Sequence, residues 1–360
     1  MILRVLLVLL FGLAALVGGL WRDYQRFIES PIRMSAPTLL FEVERGSSMR
    51  RVADGLIDRG LIRHPYYLRL LAYWRGYGTR LKAGEYELTQ GMTPGMVLER
   101  FASGRVIQYS ITMVEGWTYR QVVAGILASG RFGTDLAERS DASVMAALGR
   151  PGEHPEGRFF PDTYSFPRNT AGLDVLQRAW SRMDQVLEEE WAGRTRGLPL
   201  KTPYEALILA SIIEKETGLA AERPEIGGVF VRRLRTGMRL QTDPTVIYGL
   251  GERFDGNLRR TDLREATPYN TYVITGLPPT PIALPGRAAI RAALHPASGE
   301  SLYFVARGDG GHVFSATLNQ HNRAVNEFQL RRPQSQPQSV ALKGDNGTAD
   351  KANEGSIQDE

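Results

Sequence analysis

An uncharged apolar run near the amino terminus constrains the fold of this chain more than any other feature. Residues 2–21 contain a single charged side chain, Arg4, and residues 5–21 contain none. Twenty helical residues at about 1.5 Å each span roughly 30 Å, which is the hydrocarbon thickness of a bilayer. The run therefore predicts a transmembrane anchor over residues 1–22, followed by a juxtamembrane linker over residues 23–36.

A cleavable signal peptide is the alternative explanation of this run. Signal peptides carry a shorter apolar core, of about 7–15 residues, before a cleavage site of small residues. Here the run is longer and ends in Gly18-Gly19-Leu20-Trp21, which places an aromatic residue at the expected membrane interface. The chain has no cysteine, a composition compatible with a bacterial compartment outside the cytoplasm. We expect a single-span anchor with a cytoplasmic amino terminus and the bulk of the chain outside the cytoplasm.

Composition indicates a globular region followed by a polar tail. Hydrophobic residues make up 42% of the 360 positions, which is enough for two domains with cores of their own. The net charge of +5 is modest and the arginines are scattered, so nucleic acid is not an expected partner. From about Arg331 the sequence is rich in Pro, Gln, Ser, Asp and Asn, which predicts a disordered tail over residues 331–360.

A strand-turn-helix unit recurs three times between residues 38 and 130. Each copy has a β-rich run, a glycine two residues before Ser or Thr, and an amphipathic stretch of about ten residues that ends near another glycine. The turns are Gly46-Ser47-Ser48, Gly91-Met92-Thr93 and Gly116-Trp117-Thr118, and the closing glycines are Gly60, Gly104 and Gly130. Ser or Thr is a natural helix N-cap, and glycine a natural C-terminal cap. The recurrence predicts a small α+β module, with ordinary strand-turn-helix punctuation as the alternative.

The first copy, together with a second helix predicted from Pro65 to Trp74, resembles a LysM-type glycan-binding module. This resemblance implies a LysM-like subdomain over residues 37–108.

A second apolar segment, residues 202–217, ends in carboxylates. Thr202 and Glu205 are placed to form a capping box, which marks a helix start. Glu216 follows Ile212 by four residues and Ile213 by three, so it belongs to an apolar stripe of the helix. Desolvation on such a stripe raises the pKa of a carboxyl group toward neutrality, where the group can donate a proton. The pattern is that of a general acid.

Two neighbours of Glu216 are predicted to face elsewhere. Glu214 and Lys215 lie roughly 200° and 100° away around a helix of 3.6 residues per turn. Other chemistries have less support in the sequence. The five histidines lack metal-ligand spacing, residues 308–311 are better explained as a hairpin turn, and no Gly-x-Ser-x-Gly motif is present.

Polar and aromatic segments follow the acidic helix at high density. The segments with amide, hydroxyl or tyrosine side chains are Gln241-Thr242-Asp243-Pro244-Thr245, Val246-Ile247-Tyr248 and Tyr269-Asn270-Thr271-Tyr272. Extended loops stiffened by proline and carrying such groups suit a sugar-binding cleft, where rings stack on aromatics and hydroxyls form hydrogen bonds. Ordinary loops are the alternative, and a turn role is an equal alternative for Asp243.

Five motifs closely resemble the endolytic murein transglycosylases, the YceG-like family. They are ASIIEKET at residues 210–217, RLQTDPTVIYG at 239–249, YNTY at 269–272, ITGLPP at 274–279 and LYFVA at 302–306. The resemblance implies a mixed α+β chain with a single-pass inner-membrane anchor and a periplasmic bulk, which consists of a LysM-like subdomain and a catalytic domain over residues 109–330. It also implies cleavage of nascent peptidoglycan strands with a 1,6-anhydro-muramic acid end, without metal or cofactor, and assigns the essential glutamate to Glu216.

One carboxyl group suffices for this reaction. The acid protonates the glycosidic oxygen, and the resulting carboxylate accepts the proton of the substrate's own C6 hydroxyl as that oxygen closes on C1, so that proximity replaces a second carboxylate. The residues expected to position the sugar or to stabilise developing positive charge are Gln241, Thr242, Asp243, Tyr248, Asn270 and Tyr272. Peptidoglycan synthases are candidate protein partners.

Two other functions remain open from the sequence. A non-catalytic, membrane-anchored peptidoglycan-binding protein would use only the LysM-like unit. A Schiff-base lyase acting through Lys215 would need a phosphate-binding loop, for which the sequence offers no candidate.

Overall fold

The computed structural model describes residues 2–330, and the expected disordered tail at 331–360 lies outside the described residues. The fold is mixed α+β. Its strands form three separate two-stranded antiparallel sheets within the described residues. Three hydrophobic cores follow one another along the chain.

The apolar run forms the helix α1, Ile2–Glu29. It is long and apolar enough to cross a membrane, and none of its most apolar stretch is buried in the protein. Residues 23–29, which the sequence analysis assigned to a linker, are the last turns of the same helix. Tyr24 in these turns is buried against the rings of Tyr67 and Trp74, so the end of α1 is packed on the globular part.

The first core belongs to a compact α+β module. Its elements are β1 (Thr38–Val43), α2 (Met49–Asp58), α3 (Pro65–Trp74), β2 (Gly84–Thr89) and α4 (Pro94–Ser103). β1 and β2 pair antiparallel with Phe41 opposite Tyr86, and both rings pack on Phe101 of α4. The predicted second helix, Pro65–Trp74, is confirmed.

The second core joins elements from a longer stretch of chain. They are β3 (Gln108–Thr112), α5 (Tyr119–Ala128), α6 (Asp141–Ala147), β4 (Thr163–Pro167) and α7 (Gly172–Ala192). β3 pairs antiparallel with β4, and Phe159 and Trp180 are among the buried residues between them and the helices.

The predicted strand-turn-helix repeat is confirmed in its local structure. Ser48, Thr93 and Thr118 are the N-caps of α2, α4 and α5, and each side chain accepts a hydrogen bond from the third helical N–H. The turn glycines Gly46, Gly91 and Gly116 have positive φ, a backbone conformation that residues with a Cβ rarely adopt. The three copies nevertheless do not form one module. The first two share a sheet and a core, whereas the third pairs its strand with β4 and belongs to the second core.

The third core is mainly helical and surrounds the acidic helix. Its elements are α8 (Pro203–Glu216), α9 (Arg223–Arg235), α10 (Asp243–Leu250), α11 (Arg287–Leu294), β5 (Tyr303–Ala306), β6 (His312–Ser315) and α12 (Leu318–Val325), with short 3₁₀ turns at Gly251–Arg253 and Asp262–Arg264 and a π turn at Asn326–Leu330. The hairpin predicted around residues 308–311 is confirmed as β5–β6.

Helix α8 is the central element of this core. Every residue from 206 to 213 is buried, because a helix that is apolar on all sides needs neighbours on all sides. Thr202 caps its start as predicted, accepting a hydrogen bond from the Glu205 N–H at 3.2 Å. The reciprocal half of the capping box is absent, because the Glu205 carboxylate accepts from the Lys201 N–H instead.

Candidate active site

Glu216 is the last residue of α8 and lies partly buried where the helix meets the start of α10. The Thr242 hydroxyl donates a hydrogen bond to Glu216 Oε1. Among residues 2–330, no group donates to Oε2, so this oxygen is available to a ligand. Burial raises the pKa of Glu216 to about 7 and the negative charge of Asp243 adds to the rise, while the Thr242 bond and the Arg233 charge oppose it. The carboxyl group therefore keeps a large protonated fraction at neutral pH.

The segment that contacts Glu216 is held in an unusual backbone conformation. Gln241 has φ +50°, a left-handed value that is uncommon for a residue with a side chain and that often marks a functional segment. Its N–H donates to the Thr271 carbonyl at 3.1 Å. The side chain of Gln241 is exposed beside the buried Thr242.

A cluster of buried threonines fixes Thr242. The Thr242 N–H donates to Thr271 Oγ1 at 3.1 Å, and Thr245 Oγ1 donates to the Thr242 carbonyl at 2.8 Å. Thr245 and Thr271 are also joined through their hydroxyls at 2.8 Å. These bonds hold the N–H and the carbonyl of Thr242, and the residue is thereby fixed with its hydroxyl toward Glu216.

Residues 241–248 were predicted to form an extended loop, and this prediction is wrong from Asp243 onward. Asp243 begins helix α10, with Pro244 in its first turn, where proline lacks only an N–H that has no partner within the helix. Asp243 is exposed and accepts a hydrogen bond from the Tyr272 hydroxyl at 2.6 Å. Thr242, Asp243 and Tyr272 are thus brought to the Glu216 end of the site.

Two other predicted residues have different partners. Asn270 is fully buried, and its amide donates to the carbonyls of Asp262 and Glu265 while its oxygen accepts from the Tyr272 N–H. It therefore braces the loop that carries Tyr272. The Tyr248 hydroxyl donates to Glu156 at 3.1 Å, and its ring packs edge-on to Tyr269.

Glu214 also faces a set of partners of its own, as the helical angles predicted. Its side chain is only 5% exposed, Oε1 accepts from Arg223 at 2.7 Å, and Oε2 accepts from the Gly286 N–H at 2.9 Å. Burial raises its pKa, and the Gly286 bond and the Arg223 charge oppose the rise. Lys215 is exposed and donates to the Gly116 carbonyl at 3.2 Å.

Comparison with known proteins identifies the family of this chain. The model of the YceG-like family matches residues 41–327. The chain belongs to the YceG-like family. The endolytic murein transglycosylase of Bacillus subtilis (strain 168) is 30% identical over 330 residues, which cover 87% of this chain and 91% of the relative. The enzyme of the same name from Streptococcus pneumoniae D39 is 27% identical, over 88% of this chain and 63% of the relative.

A solved structure supports the same assignment. The 2.6 Å crystal structure of a YceG-like protein from Listeria monocytogenes superposes with a TM-score of 0.52 and 28% identity. The match covers 80% of this chain and 98% of that one. The likeness therefore extends over almost the whole of the Listeria chain.

Two buried charged residues of this YceG-like chain were not among the predicted site residues. Arg233 of α9 is buried and donates to the carbonyls of Leu302 at 2.6 Å and Leu240 at 2.7 Å, so it ties β5 to the segment before Thr242 while placing a positive charge near Glu216. The available signal was its spacing: Arg233 follows Val229 by four residues and Phe230 by three, which places it on the apolar side of α9.

The second such residue is Glu156, which is 4% exposed. Its oxygens accept from the Tyr119 N–H at 2.9 Å and from the Tyr248 hydroxyl, and burial raises its pKa to about 7. Glu156 thus joins the start of α5 to α10, across the boundary between the second and third cores. The signal was the run Glu156-Gly157-Arg158-Phe159-Phe160-Pro161-Asp162-Thr163-Tyr164, which is polar and aromatic like the segments that follow the acidic helix.

Proposed function

We propose that this protein is a membrane-anchored endolytic peptidoglycan transglycosylase. It would cleave the bond between MurNAc and GlcNAc within nascent glycan strands and leave a 1,6-anhydro-MurNAc end, terminating elongation. The observation that carries the proposal is the state of Glu216, a carboxyl group with a pKa of about 7, one oxygen held by Thr242 and the other open to a ligand. Family membership and the names of the Bacillus and Streptococcus relatives support the substrate.

The proposed reaction uses this one group twice. Protonated Glu216 donates its proton to the glycosidic oxygen, and the C1–O bond breaks with oxocarbenium character at C1. The carboxylate then accepts the proton of the C6 hydroxyl while O6 bonds to C1, which closes the anhydro ring and restores the acid. Thr242 would hold the carboxyl orientation through both steps, because its hydroxyl donates to the oxygen that does not exchange the proton.

The remaining predicted residues would act around this centre. Asp243, oriented by Tyr272, places a negative charge near Glu216, where it favours both the protonated acid and a cationic sugar. We assign Gln241 to sugar contact, because its side chain is exposed next to Thr242. Asn270 would act through the Tyr272 loop, and Tyr248 through its contact with Glu156.

The arrangement favours catalysis over the binding-only alternative. A protein that merely holds glycan has no need for a carboxyl group whose pKa is kept close to neutrality at the end of a largely buried helix. Lys215 is solvent-exposed and bonded to a backbone carbonyl, which gives a Schiff-base reaction no support.

We further propose the organisation expected from the sequence. α1 would anchor the chain in the inner membrane with its amino terminus in the cytoplasm. The helix continues without a break from the apolar run to Tyr24, which packs against Tyr67 and Trp74 of the first module, and this continuity supports a retained anchor. Residues 37–108 would form a LysM-like glycan-binding subdomain and residues 109–330 the catalytic domain, with peptidoglycan synthases as candidate partners.

The direct test is digestion of purified peptidoglycan by the detergent-solubilised full chain, with products identified by mass. Transglycosylation leaves a muropeptide lighter by one water than the product of hydrolysis. We expect the anhydro product, released from within strands. Exclusively hydrolytic ends would contradict the intramolecular step, and the absence of any cleavage would leave the binding-only function in its place.

A further inference from the structure

Helix α3 carries apolar side chains on two faces. One face packs into the first core through Leu68, Leu71 and Ala72. The other, within an arc of about 100°, consists of Tyr66, Leu70, Tyr73 and Trp74, and is called here the α3 aromatic face. Tyr66, Tyr73 and Trp74 are 75%, 79% and 57% exposed. Exposed apolar clusters of this kind mark binding surfaces, because water solvates them poorly.

The α3 aromatic face is continuous with the end of the proposed membrane helix. Trp21 is the last residue of the uncharged run, and its ring centroid lies 6.3 Å from that of Trp74. Tyr24, one turn further along α1, meets Trp74 edge-on at 5.5 Å. Trp and Tyr prefer the level of the lipid headgroups. The face therefore begins where α1 would leave the hydrocarbon layer.

The charge around α3 is strongly one-sided. Residues 59–82 contain five arginines and one lysine but no aspartate or glutamate, in a chain whose charges are otherwise nearly balanced. Arg63, Arg69, Arg75 and Arg80 are exposed, and none of the six basic side chains forms a salt bridge within residues 2–330. A pocket of about 200 Å³ beside α1 is also lined by Arg26, Arg33 and Arg63, with Asp23 as its acidic member. Basic side chains that have no carboxylate partner and lie next to an aromatic surface are suited to bind anionic phospholipid headgroups.

We propose that the α3 aromatic face lies in the headgroup layer of the membrane that α1 spans, with the surrounding arginines on anionic phospholipids. The first module, which is already packed on the end of α1, would then also be held against the membrane surface by α3. This inference rests on the proposed anchoring by α1. Aromatic rings also stack on sugars, but a glycan-binding role explains neither the contact with Trp21 nor the unpaired arginines.

The absence of cysteine from the chain allows a site-specific test. Single cysteines at Leu10, Tyr73 and Asp54, introduced as Leu10→Cys, Tyr73→Cys and Asp54→Cys in the full chain, would be spin-labelled and reconstituted in nanodiscs containing anionic phospholipid. Oxygen concentrates in lipid, whereas a water-soluble nickel complex stays in the aqueous phase. The relative effect of the two on the relaxation of each spin label therefore reports its depth. Asp54 is the matched control, since it is exposed on α2 of the same module.

We expect labels at positions 10 and 73 to be relaxed mainly by oxygen, and the label at position 54 mainly by nickel. Lipid exposure at 10 with water exposure at 73 would overturn the inference and leave the anchor intact. Water exposure at 10 would overturn the anchor and the inference together. Immobilisation of the label at 73 by added peptidoglycan, without lipid exposure, would assign the face to glycan instead.

Discussion

Glu214 and Glu216, both in the last turn of α8, have the same side chain but different hydrogen-bond partners. Glu214 has both oxygens occupied, by Arg223 and by the Gly286 N–H, and a side chain that is 5% exposed. Glu216 has one oxygen held by Thr242, no partner for the other within the described residues, and a negative neighbour in Asp243. Burial raises the pKa of both, but only Glu214 has an adjacent arginine bonded to it.

This difference separates a structural carboxylate from a chemical one. An arginine bonded to a buried carboxylate fixes its charge and holds the helix end to the loop at Gly286. A buried carboxyl group without such a partner keeps its proton to higher pH and can exchange it with a ligand. Burial alone therefore does not identify the acid, because the partners decide whether the proton is available.

The largest expected effect is a loss of activity in Glu216→Gln that Glu214→Gln does not share. Glu216→Gln preserves shape but can neither donate nor accept the proton, so anhydro-product formation should fall by roughly 10²–10⁴-fold. The rate is measured by mass analysis of digested peptidoglycan, with circular dichroism to verify folding. Glu214→Gln is the matched control and should retain most of its activity per folded molecule. If Glu214→Gln lost activity and Glu216→Gln did not, the assignment of the acid would be wrong.

The second prediction concerns stability, and here Glu214→Gln has the larger effect of the two variants. Glu214→Gln weakens the bond to Arg223, which is buried, and leaves the Arg223 charge with only the longer contact to the half-exposed Glu115 at 3.7 Å. The free energy of unfolding should fall by about 1–3 kcal/mol, measured by chemical denaturation at neutral pH. Glu216→Gln should not show this loss. Equal stabilities of Glu214→Gln and the wild type would mean that the Arg223 pair contributes nothing to folding.

The third effect is a pH dependence of stability. The folded-state pKa of Glu216, about 7, lies above the ordinary value of 4.5, so the folded state binds more protons between these values and stability falls as pH rises through this window. Above pH 7 the full cost of burying the charge is present. Glu216→Gln should therefore be more stable than wild type at pH 8, by about 1–2 kcal/mol, and nearly equal to it at pH 4. A constant difference at both pH values would contradict the raised pKa.

The smallest effect concerns the hydrogen bond that holds Glu216. Thr242→Val keeps the volume but removes the hydroxyl, so catalysis should lose about 0.5–1.5 kcal/mol, or up to roughly ten-fold in rate. Because this bond lowers the pKa of Glu216, its loss should move the alkaline limb of the pH–rate profile upward. Thr236→Val is a suitable control, since Thr236 bonds only to carbonyls at the end of α9. A profile unchanged in Thr242→Val would remove Thr242 from the site.

Local signals in the sequence were sufficient for much of the fold. Helix caps, glycines with positive φ and apolar periodicity predicted α3, the start of α8, the β5–β6 hairpin and the three repeated units. The same signals failed at residues 241–248, because proline after a polar residue is compatible both with an extended loop and with the first turn of a helix. Packing against α8 and the Thr271 network selected the helix.

The sequence by itself determined that Glu216 ends an apolar helix and that residues 5–21 can span a bilayer, because both follow from spacing and composition along one segment. Only the tertiary structure decided which of the two carboxyl groups keeps an oxygen without a hydrogen-bond partner among the described residues. The groups that decide this reach the end of α8 from different parts of the chain: Arg223, Gly286, Thr242 and Asp243. The tertiary structure also decided that the third repeated unit belongs to the second core. Local sequence sets caps and faces, whereas the pKa of a group and the pairing of a strand depend on neighbours that only folding supplies.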